Sequence, residues 1–210
     1  MTMFDKSIFI EMLKRAQAHI EQEHQALSEL DALTGDGDHG ITIQRTMKAV
    51  GQALDDDAEK PFSEFLKAVA MKVMMCDGGS TSPLLGSYFL GLASGAVADE
   101  LTAGQTASFF QAGLDQFFKT SKAASGDKTM MDALRPATEA LVASLNQQSD
   151  IGAAFAAASN AAAEGAEKTK DYVAKFGRAR TLGERAIGYY DPGAMSISHI
   201  FRGFAEAVNP

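Results

Sequence analysis

Apolar residues recur at steps of three and four positions along almost the whole chain, and this period limits the possible folds more than any other feature. In the segment from about Asp5 to Leu30, Met12 and Ala16 fall on one face of a helix, with charged residues between them. No segment shows the apolar and polar alternation of period two that is typical of a half-buried strand. The pattern therefore predicts an all-α protein whose first element is a long amphipathic helix.

Capping residues and prolines mark the ends of the next helices. We expect the second helix to stop at the three aspartates 55–57, because acidic side chains oppose a helix C-terminus. Pro61 and Pro83 fit the starts of helices three and four. Either Thr102 or Thr106 fits the N-cap of helix five.

The second half of the chain follows the same pattern. Segments 130–145 and 150–170 are expected to be helices six and seven, the latter rich in alanine. Asp191 and Pro192 fit the N-cap and the first position of the last helix. Eight helices with mostly short connections predict an up-and-down antiparallel bundle or barrel, with the whole chain as a single domain.

Composition excludes several classes of protein. The chain has 210 residues and a net charge of −8, so it lacks the positive field that collects nucleic acid or anionic lipid. Cys76 is the only cysteine, which rules out an intrachain disulfide and cysteine-rich zinc motifs. The N-terminus has no signal-peptide pattern, and no window approaches about 18 uninterrupted apolar residues. We therefore expect a cytoplasmic protein with no nucleic-acid or membrane partner.

Residues that a helical scaffold does not need are concentrated in four loops. These loops cover residues 31–40, 77–82, 121–130 and 177–193, and the last overlaps a basic, glycine-containing stretch at 175–190. We expect that stretch to be a long functional loop without regular structure. In an up-and-down bundle the connections after helices one, three, five and seven leave at the same end. All four loops are therefore expected to converge on one site.

The first loop contains three aspartates within eight residues, Asp31, Asp36 and Asp38, in the sequence LDALTGDGDHG. Gly35 and Gly37 would let the chain turn so that the carboxylates point at a common centre. Three carboxylates that close together repel one another unless cations neutralise them, and these hard oxygen ligands suit magnesium. The terminal glutamate of an EF-hand loop is missing. An acidic helix cap with a tight turn stays open as the simpler interpretation.

The second loop has residue types that bind phosphate. Gly78 and Gly79, followed by Ser80 and Thr81 at the start of helix four, offer backbone N–H groups, hydroxyls and a positive helix end. The loop is not a Walker A motif, because no lysine follows. A plain helix start would look the same, so this motif gains weight only from the other loops.

The remaining two loops are less specific. Arg178, Arg180 and Arg185 lie close together in an otherwise acidic chain, where they fit either a phosphate or ribose partner or a solvated basic loop. Asp127 and Lys128 in the sequence GDKTM are explained equally well by a turn. The Asp-Pro-Gly sequence that begins at residue 191 is explained equally well by a helix cap.

Taken together, the motifs resemble a known family. GDGDHG, the Gly-Gly-Ser-Thr turn, GDKTM and GRARTLGERAIG ending in DPGA follow in the same order and at similar spacing as in the nucleotide-binding L subunit of bacterial dihydroxyacetone kinases, over essentially the whole chain. The resemblance implies an eight-helix barrel that holds ADP or ATP and two magnesium ions, with Asp31, Asp36 and Asp38 as metal ligands. With the glycine turn included, the residues expected to bind the nucleotide are His39, Gly40, Ile41, Thr42, Gly78, Gly79, Ser80, Thr81, Ser121, Met130, Arg178, Asp191, Pro192 and Gly193.

Chain length adds a second implication of the resemblance. ATP-dependent members join the L module to a ketose-binding K module in one chain, whereas a separate L chain resembles the phosphotransferase-system form. In that form the nucleotide stays bound as a coenzyme and is rephosphorylated by the donor M subunit. Its γ-phosphoryl group passes to a ketose held by a histidine of the K subunit. No residue of this chain is then expected to be a catalytic nucleophile or base, and its role is to position phosphates and neutralise charge.

Two departures from the family pattern leave the phosphoryl acceptor open. The chain has GGSTSP where the family usually has GGASGP, and Tyr189 where a histidine commonly precedes DPGA by two residues. A kinase for another short ketose is therefore one alternative, and an ADP-dependent module that acts on a transcription regulator is another. A structural all-α protein with an acidic calcium turn is a third. A homodimer is compatible with each of them.

Overall fold

The computed structural model describes residues 3–148 and 150–209, and eight α-helices account for most of them. Each helix packs against its neighbours in sequence, and the last packs against the first, which closes an up-and-down barrel. The predicted all-α fold with eight helices is confirmed. Within the described residues, no helix combines the length and apolarity needed to cross a bilayer. The helices are α1 (Lys6–Ala32), α2 (His39–Asp57), α3 (Phe62–Met75), α4 (Thr81–Gly95), α5 (Ala103–Ser121), α6 (Met131–Gln148), α7 (Ile151–Lys168) and α8 (Pro192–Val208).

Buried phenylalanines fill the end of the barrel at which α1, α3, α5 and α7 begin. Their rings pack mostly edge to face or tilted; those of Phe109 and Phe110, for example, have centroids 5.0 Å apart at an interplanar angle of 81°. Each buried phenylalanine contributes about 1.5–3 kcal/mol, and an aromatic pair adds about 0.5–1.5 kcal/mol. We term this group the phenylalanine cluster: Phe4, Phe9, Phe62, Phe109, Phe110, Phe155 and Phe204.

A short strand pair, absent from the sequence prediction, attaches the N-terminal segment to the connection between α4 and α5. Strand β1 (Phe4–Asp5) pairs antiparallel with β2 (Glu100–Leu101). Two residues per strand are too few to produce a visible alternation, which explains why the sequence pattern did not show them. Asp5 also caps α1, because its carboxylate accepts the Ile8 N–H at 2.8 Å.

Side-chain hydrogen bonds identify the helix caps. Thr102 and not Thr106 is the N-cap of α5, because the Thr102 hydroxyl accepts the Gln105 N–H while the Gln105 side chain accepts the Thr102 N–H. Asp191 caps α8 as expected, and its carboxylate accepts the Ala194 N–H at 2.7 Å.

The start of α4 differs from the sequence prediction, whereas the end of α2 agrees with it. Helix α4 begins at Thr81 and not at Pro83, because a proline within the first turn costs no helical hydrogen bond. Helix α2 ends at Asp57, the last of the three aspartates 55–57, as expected. There Asp57 pairs with Lys60 at 2.6 Å, which offsets the repulsion between its carboxylate and the helix C-terminus.

The segment 175–190 contains regular structure, contrary to the prediction of a loop without it. Residues Arg178–Ala186 form 3-10 turns that are interrupted at Gly183, where φ is 58°. The Gly188 N–H donates to the Lys170 carbonyl at 2.7 Å and brings the two ends of the segment together. Short 3-10 turns give no apolar stripe of period 3.6, so the sequence pattern did not reveal them. We term residues 170–190 the arginine loop.

Candidate functional site

All four predicted loops meet at one cavity of about 700 Å³, at the end of the barrel where α1, α3, α5 and α7 end. Small-molecule sites typically have volumes of about 300–1,000 Å³. All but three of the residues predicted to bind metal or nucleotide line this cavity. Those that line it are Asp31, Asp36, Asp38, His39, Thr42, Gly79, Ser80, Thr81, Ser121, Met130, Arg178, Asp191, Pro192 and Gly193.

The three exceptions, Gly40, Ile41 and Gly78, lie outside the cavity wall. A side chain at Gly40 would collide with the carbonyl of His24 in α1, at 1.7 Å from the Cβ position, so this glycine allows α1 and α2 to approach. Ile41 is exposed on the outside of α2. Gly78 is buried, and a Cβ there would lie 2.4 Å from the Thr46 hydroxyl. The positions of Gly40 and Gly78 are explained by packing.

Asp31, Asp36 and Asp38 form a cluster that we term the carboxylate triad. One oxygen from each carboxylate lies within 4.8 Å of the other two. Gly35 leaves room for this arrangement, because a Cβ there would lie 2.5 Å from an Asp31 carboxylate oxygen, and Gly37 adopts a φ of 77° in the turn. Clustered carboxylate oxygens are the ligands that magnesium prefers. The triad therefore fits one or more magnesium ions.

Arg178 contacts the carboxylate triad directly. Its Nη2 atom lies 2.6 Å from an Asp36 carboxylate oxygen, and the arginine side chain is 69% exposed. This ion pair joins the arginine loop to the loop after α1. A partly exposed guanidinium at the cavity mouth has donors left for a second anion, and phosphate oxygens match its geometry.

His39 begins α2 and fixes the triad to α8. Its backbone N–H donates to Asp31 at 3.2 Å, and its Nε2 lies 2.7 Å from the Ser196 hydroxyl. Ser196 donates its hydroxyl hydrogen to the Pro192 carbonyl at 3.0 Å, so His39 is the donor in the other bond. Burial lowers the pKa of His39 to about 4, although the nearby Asp38 charge opposes this shift. The imidazole is therefore neutral at physiological pH.

The turn before α4 offers backbone donors to an anion. Gly79 has a φ of 56° and, with Ser80, lines the cavity at the helix N-terminus. The Gly78 carbonyl accepts the N–H groups of Thr81 and Ser82. Of the described residues in this turn, Gly79 and Ser80 line the cavity, and neither of their N–H groups is used in these turn hydrogen bonds, so both can bind a ligand. A helix N-terminus with free N–H groups favours phosphate.

Asp191 is a half-buried acid at the cavity. Burial raises the pKa of its carboxyl to about 7; the charge of Asp132 also raises it, while the hydrogen bond from Ala194 and the charge of Lys128 lower it. The carboxyl group is therefore partly protonated near neutral pH, while it still caps α8.

Sequence reasoning missed several residues of the cavity. Lys128 was explained as part of a turn, yet it lines the cavity and is almost fully buried. Phe117, Leu84 and Phe176 form apolar parts of the wall. Lysines are rarely buried, so residue type alone predicts an exposed position for Lys128. Its place in the GDKTM motif was the one sequence signal that pointed to a role at the site.

One barrel end thus combines a carboxylate triad, free N–H groups at a helix N-terminus, an arginine and an apolar wall. This combination is typical of proteins that bind a nucleotide together with magnesium. Residues 33–206 match the family model of the DAK2 domain. The chain belongs to the DAK2 domain family, and the resemblance inferred from the motifs is confirmed.

Relatives of the chain are kinases or kinase subunits. It is 35% identical to the ADP-binding subunit of the PEP-dependent dihydroxyacetone kinase of Escherichia coli (strain K12), over 95% of both chains. It is 33% identical to the L-erythrulose 1-kinase of Mycolicibacterium smegmatis, over 94% of this chain and 35% of that longer one. The crystal structure of the dihydroxyacetone kinase from C. freundii in complex with AMP-PNP and Mg²⁺ matches with a TM-score of 0.72 at 25% identity, over 98% of this chain and 34% of that chain.

Proposed function

We propose that this chain is the nucleotide-binding subunit of a kinase for dihydroxyacetone or a similar short ketose, and that it acts as one cytoplasmic domain. The observation that supports this most strongly is the convergence of the carboxylate triad, the Gly79 turn and Arg178 on one cavity. That cavity occurs in a chain 35% identical over nearly its whole length to an ADP-binding kinase subunit.

The charged side of the cavity is proposed to hold the phosphates. Asp31, Asp36 and Asp38 would hold two magnesium ions, and bound magnesium would neutralise the charge of the phosphate chain. The N–H groups of Gly79 and Ser80 would donate to phosphate oxygens. Arg178 would add a guanidinium next to Asp36.

The apolar side is proposed to hold the adenine ring. Leu84, Phe117 and Met130 are apolar residues of the cavity lining, and Ser121, which also lines the cavity, supplies a hydroxyl. An aromatic base gains from apolar contact on its faces and needs few polar groups at its edge. The cavity lining thus offers both acidic and apolar residues, which suit the two chemically different ends of a nucleotide.

The chain's own residues would bind and orient the nucleotide without forming a covalent intermediate. His39 is neutral and held by Ser196, and Asp191 is held as a helix cap, so neither is free to act as a nucleophile. Catalysis would come from positioning and charge neutralisation, which is the main protein contribution to phosphoryl transfer. The ketose and its attachment site would be supplied by the partner K subunit.

The partner subunits would dock at the open end of the barrel. The loops at this end carry exposed apolar side chains, among them Leu33, Phe176 and Tyr189. We propose that the K subunit and the phosphoryl-donor M subunit bind this face in turn, because each must reach the same phosphates. A transcription regulator that responds to bound ADP would bind to the same face of the barrel.

The test is whether the nucleotide acts as a coenzyme or as a consumed substrate. The purified chain should retain ADP in magnesium and show no ketose kinase activity with ATP alone. Addition of the K and donor subunits should then support many turnovers of dihydroxyacetone from an amount of ADP equal to the protein. The same assay with erythrulose in place of dihydroxyacetone shows which of the two ketoses accepts the phosphoryl group faster. Absence of magnesium-dependent ADP binding would contradict the proposal, and consumption of ATP one for one would contradict the coenzyme role.

A further inference from the structure

Lys128 is a buried lysine at the cavity for which the proposed function has no use. It lies in the connection between α5 and α6, and only 2% of it is exposed. Its backbone is in the left-handed region, with a φ of 60°, which residues other than glycine rarely adopt. An ammonium group in such a place must find hydrogen-bond acceptors to replace the water it has lost.

The Lys128 ammonium donates to the backbone at both ends of the arginine loop. Its Nζ lies 2.6 Å from the carbonyl oxygen of Thr169 and 2.5 Å from that of Tyr189. These two acceptors are 20 positions apart in the sequence. One charged group therefore holds the two ends of the arginine loop together and attaches both to the α5–α6 connection.

The other contacts at this point are weaker. The Lys175 side chain pairs with Asp127 at 2.7 Å, but the Lys175 side chain is 64% exposed, so water competes for it. Two backbone hydrogen bonds, from the Gly188 N–H to the Lys170 carbonyl and from the Lys175 N–H to the Asp127 carbonyl, join neutral groups. None of the described ion pairs includes Lys128, and its ammonium group donates to carbonyl oxygens instead. Because the donor is charged, these hydrogen bonds are stronger than hydrogen bonds between neutral groups.

Two predicted ligand residues depend on this attachment. Arg178 lies within the arginine loop, and its guanidinium reaches Asp36 only if the loop stays folded over the cavity. Asp191 follows the loop directly, and its backbone N–H donates to the Thr169 hydroxyl at 2.9 Å. Thr169 therefore links Lys128 to the start of α8 as well.

We propose that Lys128 is a positioning residue of the nucleotide site: by binding the Thr169 and Tyr189 carbonyls, it holds the arginine loop so that Arg178 stays beside the carboxylate triad. The part of this inference that concerns ligand affinity rests on the proposed function. The part that concerns the attachment of the loop does not.

The experiment compares Lys128→Met with Lys122→Met. Lys122 lies in the same connection and also has a left-handed backbone, with a φ of 59°, but its side chain is exposed. Amide hydrogen exchange is measured without nucleotide, and MgADP affinity is measured by calorimetry. In Lys128→Met, amides 176–188 should exchange about tenfold faster or more while amides of α3 and α4 keep their parental rates.

The affinity of Lys128→Met for MgADP should fall about tenfold or more, and Lys128→Arg, which keeps charge and donors, should recover most of it. Lys122→Met should change neither quantity by more than about twofold. Parental exchange at 176–188 in Lys128→Met would overturn the proposal. So would uniformly faster exchange throughout the chain, which would make Lys128 a residue of general stability. Faster loop exchange in a protein that never binds MgADP would contradict the proposed function and leave the loop attachment supported.

Discussion

The guanidinium of Arg178 lies 2.6 Å from the Asp36 carboxylate, so a residue predicted to bind phosphate contacts a residue predicted to bind metal. The two charges are opposite, and a magnesium nucleotide carries both of the complementary charges. Arg178 can therefore exchange the Asp36 carboxylate for a phosphate, and Asp36 can exchange the guanidinium for a magnesium ion, so that both charges stay paired. The ion pair thus prepares both groups for the same ligand.

Replacement of Arg178 by glutamine should weaken MgADP binding about 10- to 100-fold, because hydrogen bonds to charged groups contribute roughly 1.5–3 kcal/mol. Arg180→Gln is the matched control, since Arg180 is also exposed in the arginine loop but does not line the cavity. Calorimetry at two salt concentrations checks this, and the parent should lose more affinity in high salt than Arg178→Gln does. If Arg178→Gln and Arg180→Gln bind MgADP with equal affinity, Arg178 does not contribute to nucleotide binding.

Asp38→Asn should abolish most of the magnesium dependence of ADP binding while the free energy of unfolding stays the same or rises. The reason is that the change removes a metal ligand and also relieves repulsion within the carboxylate triad. Asp55→Asn, at an exposed aspartate outside the site, should leave binding unchanged. If Asp38→Asn retains ADP as tightly as the parent in magnesium, the assignment of the triad to metal is wrong.

Structural features that follow from periodic or local sequence patterns could be predicted, and so could the convergence of the four loops on one site. The eight helices, the cap at Asp191, and the position of the triad beside the Gly79 turn follow from periodicity, capping chemistry and up-and-down topology. These properties depend on neighbours close in sequence or on connection order alone.

Features that depend on one distant partner could not be predicted. Gly40 was expected to approach a ligand, but its close neighbour is the His24 carbonyl on another helix. Lys128 was assigned to a turn, because nothing nearby in sequence shows that Thr169 and Tyr189 supply carbonyls to it. A single sequence specifies residue types and local patterns, and such pairings become visible only when the chain is folded.

Asp191 should make the stability of the nucleotide-free protein fall as the pH rises. Burial raises the pKa of its carboxyl to about 7 in the folded state, against about 3.9 for an unfolded aspartate. Between these values the folded state binds more protons than the unfolded state, so its free energy of unfolding decreases from about pH 4 to about pH 7 and levels off above.

Asp191→Asn keeps a good N-cap residue and removes the titrating group. The variant should match the parent near pH 4 and be about 1–2 kcal/mol more stable at pH 8, a value below the full shift because water and side chains relax around a partly buried charge. Urea unfolding at several pH values, without magnesium, measures the difference. If the difference in free energy of unfolding between Asp191→Asn and the parent is the same at every pH tested, the pKa of Asp191 is not raised in the folded state.

The phenylalanine cluster and the cavity occupy opposite ends of the barrel, so their contributions should be separable. Phe109→Ala removes a fully buried ring that packs 5.0 Å from Phe110, and should lower the free energy of unfolding by about 3–5 kcal/mol through lost burial and a residual cavity. Phe118→Ala, on the same helix but 41% exposed, should cost less than about 1 kcal/mol.

MgADP affinity, measured by calorimetry at a temperature where both variants are fully folded, should stay within about twofold of the parent, since distant sites rarely couple by more than about 0.5 kcal/mol. The physical reason is that the loops at the open end are held by their own contacts, such as His39 with Ser196, and not by the aromatic rings at the other end. A tenfold loss of affinity in folded Phe109→Ala would show that the barrel transmits changes along its length and that its two ends form one cooperative unit.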